Sequence, residues 1–349
     1  MNARFAAILV VLLAVLGGGA VLVYQQQHAR EPSNVGTLGQ PLLKSLAAPD
    51  IAAIRIAEPR STITLERKGD DWVIDERAGF PADFDKVRAF VLEALELKIG
   101  QSEPIGAQDR ARLHLLEPDK GDGAGTLVEF RAAGGKPLAS LLIGDKYFKK
   151  APADPATATA DGRFVLRPDD PQTVYVVSDP LGQAAARSAV WIDRSGISAQ
   201  KLKTLEVRLA GEAPWKIARA GDNAEWRLAG ARAGEKLEIT KANAASYSLS
   251  LLELADVAPP GTSAQSAGFD KPTATIAAAT LDGLSYEFTV GKLDGANYYL
   301  RFTRQGEPGK KNAPRLAREQ ALEPYTLLVA KSKLDDTLKK RSELLEKKK

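Results

Sequence analysis

The chain has no cysteine, only two histidines and a single methionine in 349 residues. Without cysteine there is no disulfide, no thiol nucleophile, no cysteine-ligated zinc or iron–sulfur cluster, and no acylated lipoprotein cysteine. With His28 and His114 as the only imidazoles, a His-rich metal site is excluded. A Ser-His-Asp triad would have to use one of these two. Phosphate-cradling loops are missing as well. Neither G-x-G-x-x-G nor G-x-x-x-x-G-K-[ST] occurs, and the consecutive Gly17, Gly18 and Gly19 lie in an apolar run. No G-x-S-x-G elbow is present.

A broad basic face is also missing. Lys and Arg total 48 against 44 Asp and Glu, a net +4. The segment Lys331 to Lys349 holds eight basic and four acidic residues, which is the whole surplus. The pI near 9.0 therefore reports a tail, and nucleic-acid binding through an electrostatic footprint is disfavoured.

What is there begins with Phe5 to Tyr24, twenty residues without a charge. At about 1.5 Å per residue they span roughly 30 Å, the thickness of a bilayer's hydrocarbon core. Arg4 and the terminal amine precede the run and suit an N-in orientation, which His28 and Arg30 weaken. A cleaved signal peptide would end at a small-x-small site, which Gly18-Gly19-Ala20 could supply. The apolar run continues through Tyr24 and favours an uncleaved anchor. The expected location is a bacterial inner membrane, single-pass, with the bulk on the periplasmic side.

After a polar tether the chain reads as an α+β protein whose pattern occurs twice. The first copy opens with alternating strands at Ile51 to Ile56, Ser61 to Arg67 and Trp72 to Asp75, turning at Gly69. The second opens with Leu205 to Leu209, Trp215 to Arg219 and Glu225 to Leu228, turning at Gly221. A helix follows in each. Asp83 caps one with apolar positions Phe84, Val87, Val91 and Leu95; Thr240 caps one with Ala244, Tyr247, Leu251 and Leu254. About four strands then follow, with Gly144 matching Gly291. Short spacers demand antiparallel pairing, and the helix should cover one face of the sheet. Trp72 and Trp226 are expected as equivalent core anchors. The expected segments are an anchor (1–25), a tether (26–47), two α+β repeats (48–186 and 187–330) and a basic helical tail (331–349). In that tail Leu334, Leu338, Arg341 and Leu345 fall on one helical stripe, which is either solvated or a dock for anionic headgroups or a partner.

No residue stands out as catalytic, cofactor-binding or metal-ligating. His114 sits between Leu113 and Leu115, and as a base it would need partners brought from afar. His28 falls in the tether. Asp70-Asp71, Asp169-Asp170 and Asp335-Asp336 read as turn or helix-start residues, not acid–base pairs. Asp119 to Gly125 hints at a calcium loop but lacks alternating oxygen ligands and a late glutamate. Lys149-Lys150 is the one other basic cluster singled out.

Asp50 to Ile56, Ile63 to Arg67, Gly69 to Val73, Ile143 to Asp145 and Trp191 to Arg194 together resemble the bacterial envelope proteins of domain-of-unknown-function family 4340. The likeness spans roughly residues 45–330. It implies an N-terminal membrane anchor and a repeated α+β ectodomain. Some members are encoded beside ABC-type transport systems, which implies an auxiliary transport role. The family supplies no catalytic residues, and Asp145 has no acidic counterpart at Lys292. The expected function is a non-enzymatic, membrane-anchored extracytoplasmic assembly or auxiliary subunit. Its expected contacts are the membrane through residues 5–24 and an envelope protein partner such as an ABC transporter subunit, with no cofactor and no nucleic acid. The alternative is a binding module for a glycan, peptide or lipid. An enzyme would instead need a pocket of convergent titratable groups.

Overall fold

The computed structural model describes residues 37–179, 181–307 and 313–346. The expected membrane segment, residues 5–24, lies outside them. Among the described residues no helix is long and apolar enough to cross a membrane.

The first half contains β1 (Ala53–Glu58), β2 (Ser61–Lys68), β3 (Asp71–Ile74), β4 (Phe80–Pro81), α1 (Phe84–Glu96), β5 (Ile99–Pro104), α2 (Ala107–Arg112), β6 (Thr126–Arg131), β7 (Pro137–Tyr147), β8 (Gly162–Arg167) and β9 (Asp170–Val177). After α3 (Ser188–Trp191) the second half contains β10 (Leu202–Leu209), β11 (Trp215–Ala218), β12 (Arg227–Leu228), α4 (Ile239–Tyr247), β13 (Asp256–Val257), α5 (Ala264–Ala267), β14 (Ala274–Thr280), β15 (Ser285–Asp294), β16 (Asn297–Gln305), α6 (Ala313–Leu322), β17 (Leu327–Ala330) and α7 (Lys331–Leu334). The class is α+β with two antiparallel sheets and few helices. The first sheet runs β4-β3-β2-β1-β6-β7-β8-β9-β5 and the second β12-β11-β10-β14-β15-β16-β17-β13. Setting β4 aside, the two orders are the same. In each, the strand that follows the helix after the first strands (β5 after α1, β13 after α4) closes the far edge beside the last strand of the meander. Contacts gather the chain into two compact units. One takes the described residues up to 51 with 56–60 and 90–184; the other takes 52–55, 61–89 and everything from 185 on.

Alternation explains the strands. In β14 Ala274, Ile276, Ala278 and Thr280 point inward, and in β15 Tyr286, Phe288 and Val290 do. Tyr286 stacks on Phe288, and Phe288 on Phe302 of β16, with centroids 5.9 and 6.1 Å apart. In the first half Phe90 of α1 stacks on Phe130 of β6 at 6.2 Å. The first hairpins pair alike but turn differently: Leu65 faces Ile74 in β2–β3, which closes tightly at Lys68 and Asp71, and Ile217 faces Leu228 in β11–β12, where residues 219–226 form a longer loop. Trp72 and Trp226 are both buried.

Two glycines fix how the short helices meet the sheets. A Cβ at Gly144 would lie 2.2 Å from the Leu113 carbonyl oxygen just after α2; one at Gly291 would lie 2.1 Å from the Ala267 carbonyl oxygen ending α5. Only glycine admits so close a backbone approach.

The expected helix faces need correction. Asp83 does cap α1, accepting from the Lys86 N–H at 3.2 Å. The buried stripe, however, is Val87, Phe90, Val91 and Ala94, with Phe84 half exposed. In α4 and the turn after it the buried residues are Ala242, Ala245, Leu249 and Leu252, while Tyr247 and Leu251 are 78% and 59% exposed. Of the expected apolar positions Val87, Val91 and Leu254 are buried, while Phe84, Tyr247 and Leu251 face outward. The polar strand β5 was also missed, because its burial repeats every three residues instead of alternating.

The expected tether ends before residue 47. Leu42, Leu43 and Leu46 are buried, and the Leu42 N–H donates to the Leu97 carbonyl at 2.8 Å. The second half repeats this contact, with the Ile197 N–H donating to the Leu252 carbonyl at 3.2 Å.

The expected helical tail is also corrected. Only Lys331–Leu334 is α-helical there, followed by a 3-10 turn at Arg341–Leu344. Leu334, Thr337 and Leu344 are buried, and the Trp215 indole N–H donates to the Lys339 carbonyl at 2.8 Å. The described basic groups of the tail are paired with carboxylates: Lys331 with Asp335, Lys333 with Glu253, Lys339 with Asp336, Lys340 with Glu212 and Arg341 with Glu235. This strap ends with the Glu238 N–H donating to the Leu344 carbonyl at 2.9 Å, immediately ahead of α4. An equivalent segment precedes β10, where the Asp83 N–H donates to the Trp191 carbonyl at 2.7 Å, immediately ahead of α1. The strap is therefore a structural closure of the second half and not a free amphipathic helix.

Candidate functional site

The residues singled out in sequence do not converge. Asp169 forms a two-bond pair with Arg167, whose hydrogen bond pulls its carboxyl below the usual range. Asp170 accepts from Tyr175 at 2.8 Å and Thr173 at 3.2 Å, capping the β8–β9 turn. Asp335 and Asp336 hold tail lysines. Asp70 and Asp71 lie at the β2–β3 turn, whose Gly69 has φ +67°. The Lys149 N–H donates to Asp161 at 2.9 Å.

His114 is different. It is not in a strand but takes a left-handed backbone, φ 52°, at the end of α2. Its Nδ1 lies 2.9 Å from Asp145 Oδ1, with both side chains about half exposed. Gly268, with φ 77°, occupies the matching place after α5, and Lys292 stands where Asp145 does. The pair is thus confined to the first half. The Asp145 carboxylate also acts on Arg163, partly offsetting the lowering of that guanidinium's pKa by burial.

The second half carries the larger feature. Its α6 has no counterpart: β8 joins β9 by a tight turn, whereas α6 fills the chain between β16 and β17. Leu316, Glu319 and Leu322 form its buried face. Glu319 is 1% exposed. It accepts the Ser198 N–H at 2.9 Å and the Tyr286 hydroxyl at 2.9 Å, with Arg304 3.9 Å away. A buried carboxylate needs such partners. Burial first, and then the Glu319 charge, push the Tyr286 hydroxyl pKa far up. Arg315, also on α6, donates to the Ser198 carbonyl, and the Ser198 hydroxyl donates to the Ser250 carbonyl at 2.8 Å. Gly196 is packed so closely that a Cβ would sit 1.7 Å from the Leu252 carbonyl oxygen. Residues 196–199 are therefore clamped as a rigid ridge by a helix that only the second half possesses.

A cleft lies on each side of that ridge. One, of about 780 Å³, is lined by Gln200, Lys201, Arg219, Asp222, Tyr247 and Leu251 among others. The other, of about 620 Å³, is lined by Asp193, Arg194, Ser198, Leu251, Arg315 and Arg318 among others. Leu251 belongs to both. Arg219 is held in place by the Leu202 carbonyl, by Asp222 and by the Trp226 ring, whose centroid is 4.8 Å from its guanidinium carbon. Lys201 has φ 51°, a strained setting for a side chain other than glycine. The sequence did carry a signal for this surface. Two apolar stripes on one short helix exceed what a single sheet can cover, so one of them had to face outward. Nothing in the local pattern marked Glu319.

No curated protein and no solved structure matches the chain. The repeated strand order, the glycine-seated short helices and the tryptophan-anchored turns lie within or beside the segment that a family model does match. Over residues 72–272 the chain matches "Domain of unknown function (DUF4340)", and it belongs to that family.

Proposed function

We propose that the protein is a membrane-anchored, extracytoplasmic assembly or auxiliary subunit of an envelope system, of the ABC-transport kind that the family resemblance suggests. In this reading residues 5–24 hold it in the bilayer, and the α+β halves are tandem copies that serve as a scaffold. The matched strand orders, the Gly144 and Gly291 seats and the two closing segments support the duplication. The observation that carries the subunit role is the exposed Tyr247–Leu251 stripe on α4 and the turn after it, flanked by two clefts. An exposed apolar stripe in a concave setting is the mark of a protein contact. The reading assigns the protein no catalysis of its own.

The test is co-isolation of the full chain from detergent-solubilised native membranes. Wild type should bring down a stoichiometric envelope protein, and Tyr247→Ala with Leu251→Ala should lose it while abundance stays the same. Equal recovery with both variants overturns the reading. The second reading, a binding module for a glycan, peptide or lipid, rests on the same clefts. It predicts a small-molecule adduct in native mass spectrometry in place of a protein.

A further inference from the structure

Around the stripe, the charges divide unequally. Four carboxylates line the two clefts, and each is already paired: Asp222 with Arg219, Asp193 with Arg318, Glu253 with Lys333 and Asp83 with Lys86. Among the described residues, three cations of the same linings have no carboxylate within ion-pair distance. Arg194 and Arg315 donate only to backbone carbonyls, of Ala189 and Ser198. Lys201 has no side-chain partner among the described residues, and its backbone is strained as well. Glu253 feels the charge of Arg194 but is itself held by Lys333. The surface thus joins an exposed tyrosine and leucine to a local surplus of positive charge, in a chain whose net excess otherwise sits in the tail.

We infer that the groove formed by Tyr247, Leu251, Lys201, Arg194 and Arg315 docks an acidic segment of a partner protein that presents an apolar anchor between carboxylates. The inference rests on the subunit reading above and names the chemistry of that contact. Tyr247 and Leu251 offer exposed apolar surface, Leu251 to both clefts, while Lys201 lines one cleft and Arg194 the other, placed to meet carboxylates on either side of an apolar anchor. Charge complementarity of this kind fixes register and partner choice. A bilayer surface is the weaker fit. Lys201 and Arg194 line the walls of separate clefts, where a flat layer of headgroups cannot reach both. Among the described residues of the tail, Lys331, Lys333, Lys339, Lys340 and Arg341 are each already paired with a carboxylate.

The test is photocrosslinking in intact cells, using the full-length chain with benzoylphenylalanine in place of Tyr247, and mass spectrometry of the adduct. The expected adduct is a protein segment with an excess of Asp and Glu within about ten residues of the crosslink. Lys201→Glu with Arg194→Glu should lower its yield about tenfold without changing abundance or melting temperature. A neutral or basic segment, or a yield that the charge reversals leave unchanged, overturns the acidic-partner inference while leaving the subunit reading standing. A lipid adduct, or no adduct at all, overturns both.

Discussion

Among the described residues the two halves share strand order and helix seats, yet they differ: β4 occurs only in the first, α6 only in the second, a tight turn joins β2 to β3 where residues 219–226 loop between β11 and β12, and His114–Asp145 is replaced by Gly268–Lys292. What is shared is what burial and backbone geometry demand. What differs is exposed or inserted, which is where a scaffold can acquire a role without losing its core. Helix α6 makes the point. It clamps residues 196–199 through Glu319 and Arg315, and in doing so separates two clefts where the first half has only a tight turn between β8 and β9.

The strongest way to break the comparison is to remove the matched tryptophans. Trp72→Ala and Trp226→Ala should each cost roughly 3–5 kcal/mol and lower the melting temperature by about 10 °C, read by differential scanning calorimetry. If either variant melts like wild type, the two turns are not equivalent anchors. Next come the glycine seats. Gly144→Ala and Gly291→Ala each drive a methyl group into a backbone carbonyl, at 2.2 and 2.1 Å. Each should cost roughly 2–3 kcal/mol. A large effect at one and none at the other would show that the short helices are held differently.

A third test concerns the buried network that only the second half has. The Tyr286 hydroxyl is raised well above its ordinary pKa of 10.0. A group raised in the folded state contributes stability that is fully present below its unfolded pKa and is lost as pH rises through the folded value. The melting temperature should therefore fall as pH climbs past about 10, and part of that fall should vanish in Tyr286→Phe. An identical alkaline slope in the variant would remove Tyr286 from the account.

A smaller and opposite effect is expected at His114, the one histidine among the described residues. His114→Gly relieves a left-handed backbone at the cost of a half-exposed contact with Asp145. It should raise stability by about 1 kcal/mol. Gly268→His, the reverse exchange, places a Cβ 2.7 Å from the Lys292 backbone nitrogen and should be destabilising. If His114→Gly abolishes function in cells while raising the melting temperature, the pair has a role that the second half never had.

Much of this architecture was legible in the sequence, because β-strand alternation and turn glycines are local signals. Spacing alone matches Leu65, Trp72 and Gly144 to Ile217, Trp226 and Gly291, and these take similar places in their sheets, whereas Gly69 turns the chain tightly and Gly221 lies in the loop of residues 219–226. The edge strand β5 could not, since an edge tolerates polar residues such as Gln101 and Glu103. The helix faces failed for a related reason: α4 and its following turn carry two apolar stripes, and period alone does not say which one meets the sheet. The tail looked like a free basic helix because its carboxylate partners Glu212, Glu235 and Glu253 are far away in sequence. Glu319 was invisible, being an ordinary charged residue on a short helix until the fold buries it against Ser198 and Tyr286.

The central claim, that the second half's outward stripe is the docking surface, is tested most directly by comparing two positions in the same assay. Leu92 on α1 is 44% exposed and Tyr247 on α4 is 78% exposed, so both can carry a photoreactive side chain with little effect on stability. Benzoylphenylalanine at position 247 should yield a discrete protein adduct in cells, and at position 92 it should yield none. Equal adducts at both positions, or an adduct from 92 alone, would contradict the account.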